Sequence, residues 1–149
     1  MNYHEKWMEQ AFLEAEKAYQ KKEVPVGAVI VFEDKIIGRG HNLTETLQDP
    51  TAHAEMLAIT AAANYLAHWR LEETSLYVTL EPCPMCVGAM IHARLARLVF
   101  AAADPKTGAA GGRFDLLGDP AHNHEVQVDG GCCARESSVM LKNFFRQRR

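Results

Sequence analysis

The order of elements along the chain predicts an α/β fold: a three-layer α/β/α sandwich around a central mixed five-stranded sheet. Two observations carry this expectation. Helical spacings alternate with short β-branched runs along the chain, and one pair of runs is joined by a tight polar turn, which makes an antiparallel hairpin within the sheet. With 149 residues, 48% hydrophobic and 23% charged, the chain is expected to form one domain over 1–149 and to need no disulfide staples.

Met8, Ala11, Phe12, Ala15, Ala18 and Tyr19 fall at three- and four-residue spacings with Glu9, Glu14, Glu16 and Lys17 between them, an amphipathic helix over Met8–Tyr19. The segment 24–32 is too apolar and β-branched for a surface helix and reads as a buried strand. Glu33-Asp34-Lys35 turns it into a partner at Ile36–Gly40. His41–Thr51, with Asp49-Pro50, reads as a loop. A helix over Ala52–Tyr65, a strand over Thr74–Leu80, a helix over Pro84–Arg94 and a strand at Leu98–Ala101 follow. The glycine-bearing stretch Asp104–His124 is long enough without structure to point to function. Val126 and Val128 indicate a last strand, and Glu136–Phe145 a closing helix.

The longest apolar run, interrupted by Pro25, falls far short of the ~20 residues of a membrane span. Residues 1–6 lack the apolar core of a secretory signal, so a cytoplasmic protein with no membrane partner is expected. Sixteen basic and nineteen acidic side chains give a net charge of −3. The balance is uneven: −5 over residues 1–74, +2 over 75–149, and +4 within the last eight residues, from Lys142, Arg146, Arg148 and Arg149. By itself a basic tail is most simply a solvated end.

Chemistry concentrates at two places. Glu81-Pro82-Cys83-Pro84-Met85-Cys86 follows a strand and opens a helix, with Pro84 suited to the first helical position and both sulfurs near a helix N-terminus that favours thiolate. A buried pair or a redox couple would use the same spacing. Upstream, Thr51-Ala52-His53-Ala54-Glu55 opens another helix. Residues two apart diverge within a helix, so His53 and Glu55 can share a site only at a helix end. One imidazole and two thiolates supply three zinc ligands and leave one corner open, the pattern of catalytic rather than structural sites. Water there acidifies from ~15.7 towards 7, and Glu55 is left to carry protons. A capping acid or a satisfied histidine explains either residue alone, but not the two motifs together.

These motifs resemble those of the zinc-dependent nucleoside and nucleobase deaminases. Further stretches narrow the resemblance to the bacterial tRNA-specific adenosine deaminases: Val24–Val29, Gly40-His41-Asn42, Asp49–Glu55, Tyr77–Cys83, Gly88–His92, Asp104–Gly111, Asn123-His124 and Phe144–Arg149. The zinc motif is common to all the relatives; the Asp-x-Lys-Thr-Gly-Ala-Ala-Gly loop and the Phe-Phe-Arg-x-Arg-Arg tail separate this subfamily. The resemblance implies a cytidine deaminase-like fold and one Zn²⁺ per subunit on His53, Cys83 and Cys86, with Glu55 as the catalytic proton carrier. It implies hydrolysis of adenosine to inosine at wobble position 34 of a tRNA anticodon, that of tRNA-Arg, with release of ammonia. It also implies a homodimer, packed near His92 and Arg94, that takes the anticodon stem-loop across the subunit boundary.

Asn42 is expected to hold the base edge, Asp104 to lie near the flipped nucleotide, and Lys106 and Arg146 to meet phosphate or ribose. Phe144 or Phe145 would offer a stacking face, although a closing helix must bury at least one of them. A guanine or deoxycytidylate deaminase shares the zinc site but needs neither Lys106 nor the basic tail. A noncatalytic zinc-stabilised RNA-binding module needs no Glu55, and a redox protein gives His53 and Glu55 no role. Cys132-Cys133 matches nothing in the family's zinc site and reads as small core residues at a helix start.

Overall fold

The computed structural model describes residues 2–148, so Arg149 of the basic tail lies outside the described residues. The chain runs α1 (Tyr3–Gln20), β1 (Gly27–Phe32), β2 (Lys35–His41), α2 (Thr44–Leu47), α3 (Ala54–Leu66), β3 (Ser75–Leu80), α4 (Pro84–His92), β4 (Arg97–Ala102), β5 (Gln127–Gly130) and α5 (Ala134–Gln147). The strands form one mixed sheet in the order β2-β1-β3-β4-β5. Its β2/β1 and β1/β3 pairs are antiparallel, and β3/β4 and β4/β5 are parallel. Helices α1 and α5 pack on one face, and α3 and α4 share the other. This is the three-layer architecture that the alternation predicts.

Differences from the sequence reading have local causes. Helix α1 begins five residues before Met8 because Asn2 and Glu5 form a reciprocal capping box. The mainly polar first turn hides this from the apolar periodicity. Strand pairing starts at Gly27, not Val24, and Val24 and Val26 instead form part of the wall of a cavity. Pro25 in this segment has no N–H to give a ladder. Glu33 and Asp34 take positive φ values of 51° and 57°, as two-residue turns between twisted antiparallel strands require. The predicted loop 41–51 contains the single turn α2. The buried Glu23 carboxylate holds it by accepting from the Glu45 and Thr46 amides at 3.2 and 2.6 Å and from the Thr46 hydroxyl at 2.7 Å.

One core lies between the sheet and α3 and α4, built on Ile30, Leu76, Val78, Met90, Leu95 and Leu98; Trp7, Met8, Val29, Tyr77 and Val99 form a second beneath α1. Helix α3 lies unusually close to β2. A Cβ on Gly40 would stand 2.3 Å from the Ala54 carbonyl oxygen, and one on Gly38 would stand 2.4 Å from that of Ala58. Glycine at these positions lets the helix carrying His53 and Glu55 settle onto the strand.

Candidate metal centre and active site

The three expected ligands come together. His53 is the N-cap of α3, with extended φ and ψ of −77° and 153°. Cys83 caps α4, Pro84 takes its first turn, and Cys86 follows one turn in. None of these caps is used by a side-chain hydrogen bond, so the imidazole and thiols are free to face one another. Their donor atoms all lie within 4.8 Å of one another. Each sulfur is 3.6 Å from His53 Nδ1.

Two helix N-termini aim partial positive charge at this point. The Cys86 thiol beside it, and His53 after that, hold Cys83 as a thiolate, down to about 4. Cys86 is pushed up by the neighbouring Cys83 and by burial, and His53 is raised by the Cys83 sulfur. The three groups thus share protons that a cation would displace, as metal binding to thiols requires. One nitrogen and two sulfurs form a donor set suited to zinc. Among the described residues, these are the three donors that meet.

His53 and Cys83 line a cavity of about 240 Å³. Glu55 reaches the same cavity from the first turn of α3 and is only 4% exposed. Burial raises its carboxyl to about 7, the range in which a carboxyl can both take and give a proton near neutrality. Val24, Val26 and Leu80 provide apolar walls; Asn42, Asp104 and Thr107 bring polar atoms. The volume lies below the roughly 300–1,000 Å³ of sites for drug-sized ligands, a scale suited to one heterocyclic base.

Residues 2–149 match the family model of the MafB19-like deaminases. The chain is 49% identical to the tRNA-specific adenosine deaminase of Bacillus subtilis (strain 168), over all of this chain and 92% of that protein. The chain belongs to the tRNA-specific adenosine deaminase family.

A solved structure from work on A-to-I editing by tRNA:A34 deaminases at the wobble position of transfer RNA superposes on this deaminase with a TM-score of 0.88. It has 42% identity over 91% of this chain and 99% of that one. The guanine deaminase of Bacillus subtilis is also similar, with a TM-score of 0.67 and 34% identity over 85% of this chain and 83% of that one.

The other expected site residues of the deaminase divide between two places. Asn42, 8% exposed, and Asp104 line the cavity with Glu55. Lys106 and Arg146 lie outside it, on a cleft of about 710 Å³ shared with Lys142, Phe145 and Arg148. Phe144 offers no stacking face. Its ring is 4% exposed and packs edge-on against Tyr19 with centroids 5.9 Å apart, because the apolar side of α5 must bury one aromatic ring. Phe145, 50% exposed, faces the cleft instead.

Cys132 and Cys133 are half-buried against the α1 core, with Cys133 capping α5, and take no part in the ligand group. Among the described residues, no helix is long and apolar enough to cross a membrane. Sequence reasoning overlooked Thr107, Val24 and Val26 as cavity walls, and gave no role to Glu81. This buried acid also lines the cavity, and its carboxylate accepts backbone N–H groups from the loop after β4. Its one signal in the sequence is an acid directly before Pro82-Cys83 in an otherwise apolar strand end.

Proposed function

We propose that this deaminase hydrolyses adenosine to inosine at wobble position 34 of a tRNA anticodon, with tRNA-Arg as substrate, and releases ammonia. The observation that carries the reading is the meeting of His53, Cys83 and Cys86 beside a buried Glu55 in one base-sized cavity. His53, Cys83 and Cys86 would hold one zinc ion per subunit, which when bound supplies a water acidified towards neutral pH. Glu55 takes a proton from the attacking water and delivers it to N1 of the purine. It then takes the proton of the new C6 hydroxyl and passes it to the amine, so that the C6–N bond breaks as the C6 carbonyl forms and ammonia leaves. Asn42 donates or accepts at the base edge, and the apolar walls exclude bulk water.

Lys106 and Arg146 hold phosphate or ribose outside the cavity, Asp104 meets the flipped nucleotide, and Phe145 stacks a neighbouring base. An anticodon loop is single stranded, so its base leaves the stack at less cost than one in a duplex. Two copies are proposed to assemble near His92 and Arg94, and the protein to act in the cytoplasm with its tRNA. Inosine sequencing of a tRNA pool treated with wild type or Glu55→Ala tests the reading. The expected result is one edited wobble position that is absent with the mutant, whose zinc content is unchanged. The likeness to a guanine deaminase supplies the competing outcome: release of ammonia from free guanine with the anticodon stem-loop untouched.

A further inference from the structure

We infer that Glu81 is a positioning residue: its carboxylate pins the substrate-facing loop 104–112 to the turn that carries the ligand Cys83. This rests on the proposal that Asp104 and Lys106 meet the nucleotide. Glu81 follows β3 and is 3% exposed. Its Oε1 accepts from the Asp104 amide at 2.9 Å, and its Oε2 accepts from the amides of Ala110 and Gly112 at 2.9 and 2.7 Å. The Ala109 amide donates to the Pro82 carbonyl at 2.8 Å, one residue before Cys83. Among the described residues, no basic side chain pairs with Glu81, so backbone amides of one loop take up both of its oxygens.

The loop is shaped for this acid. A Cβ on Gly108 would lie 2.4 Å from the Glu81 carboxyl carbon, and one on Gly112 would lie 2.4 Å from Oε1. The later part of the loop is also held by the buried Ala109, whose carbonyl accepts from the Leu116 amide, but its substrate-facing start has little besides Glu81. Ala103, Pro105, Lys106 and Thr107 are exposed, and the Asp104 carboxylate braces only its own turn through the Lys106 and Thr107 amides. Buried donors left without an acceptor are costly, so the three amides fix the loop's path only while Glu81 accepts from them. Asp104 and Thr107 then stand at the cavity in register with the metal ligands.

The test uses Glu81→Gln, in which a side-chain NH₂ faces an amide donor, and Gly112→Ala, which crowds the same contact with Glu81 intact. Both proteins are loaded with zinc and compared with wild type. Exchange of the Asp104, Ala110 and Gly112 amides is expected to quicken roughly ten-fold or more, while amides of β3 and α4 and the zinc content stay as in wild type. KM for an anticodon stem-loop should rise by a similar factor, with kcat changed much less. Unchanged exchange at the three amides would overturn the inference, as would a lower kcat at constant KM. Quickened exchange throughout α4 with loss of zinc would also overturn it, because it would make Glu81 a general structural residue. Wild type inert on the stem-loop would instead sink the substrate reading, while the exchange pattern would still decide whether Glu81 holds the loop.

Discussion

Replacing Gly40 by alanine should damage catalysis from a position that touches no substrate. The added methyl would stand 2.3 Å from the Ala54 oxygen and 2.8 Å from the Ala58 nitrogen, both backbone atoms of α3. Restoring an ordinary contact of ~3.5 Å moves the start of α3 by about 1 Å. That start carries His53 and Glu55, and a 1 Å misplacement of catalytic groups costs on the order of 100-fold in rate. Overpacking should also cost about 1–3 kcal/mol of stability.

Gly38→Ala is the control. Its methyl would meet Ala58 and Ala62, one turn further from the site, at the comparable distance of 2.4 Å. Denaturant unfolding should therefore place the two variants near one another, while kcat/KM on an anticodon stem-loop falls far more for Gly40→Ala. Equal activity in two equally destabilised variants would refute the argument that the seating of α3 on β2 sets the geometry of the centre.

Phe144→Ala should lower stability by about 3–5 kcal/mol, whereas Phe145→Ala should leave stability nearly unchanged and weaken stem-loop binding by about 1–3 kcal/mol; unfolding and filter-binding titrations separate the two. Lys106→Ala should flatten the dependence of log affinity on log salt by about 0.7 if one single-stranded phosphate contact is lost, measured from 50 to 200 mM salt. Burial alone would raise the Glu14 carboxyl, but hydrogen bonds from Lys17 and His41 outweigh it and hold the group below its ordinary 4.5. The resulting stabilisation is complete above pH 4.5 and fades as pH falls through the folded-state value. Glu14→Gln should therefore destabilise at pH 7 by about 1–3 kcal/mol, and the gap from wild type should close in acid unfolding curves.

Most of the fold was legible because its elements announce themselves by period and by caps. The hairpin was visible in Glu33-Asp34 between apolar runs, and α4 in Pro84 after a strand. The grouping of His53, Cys83 and Cys86 was legible because a helix start is where a histidine and a nearby acid can converge, and where Cys-x-x-Cys places both sulfurs on one turn. What stayed hidden depends on tertiary contact. Phe144 and Phe145 are adjacent and identical, and only the docking of α5 on Tyr19 decides which one is buried. Glu23 and Glu81 look like surface acids in the sequence, yet each is buried and holds one rim of the cavity through backbone amides. Pairing of β1 starts only at Gly27, after Pro25, and this leaves Val24 and Val26 for the cavity wall, a role that apolar composition does not reveal.

X-ray absorption at the zinc edge of the purified protein tests the proposed centre most directly. The expected result is one zinc per chain with two sulfur neighbours at ~2.3 Å and two nitrogen or oxygen neighbours at about 2.0–2.1 Å. One of the light neighbours should be lost in His53→Ala and one of the sulfurs in Cys86→Ser. A shell of three or four sulfurs, or a protein that carries no zinc and still deaminates, would contradict it.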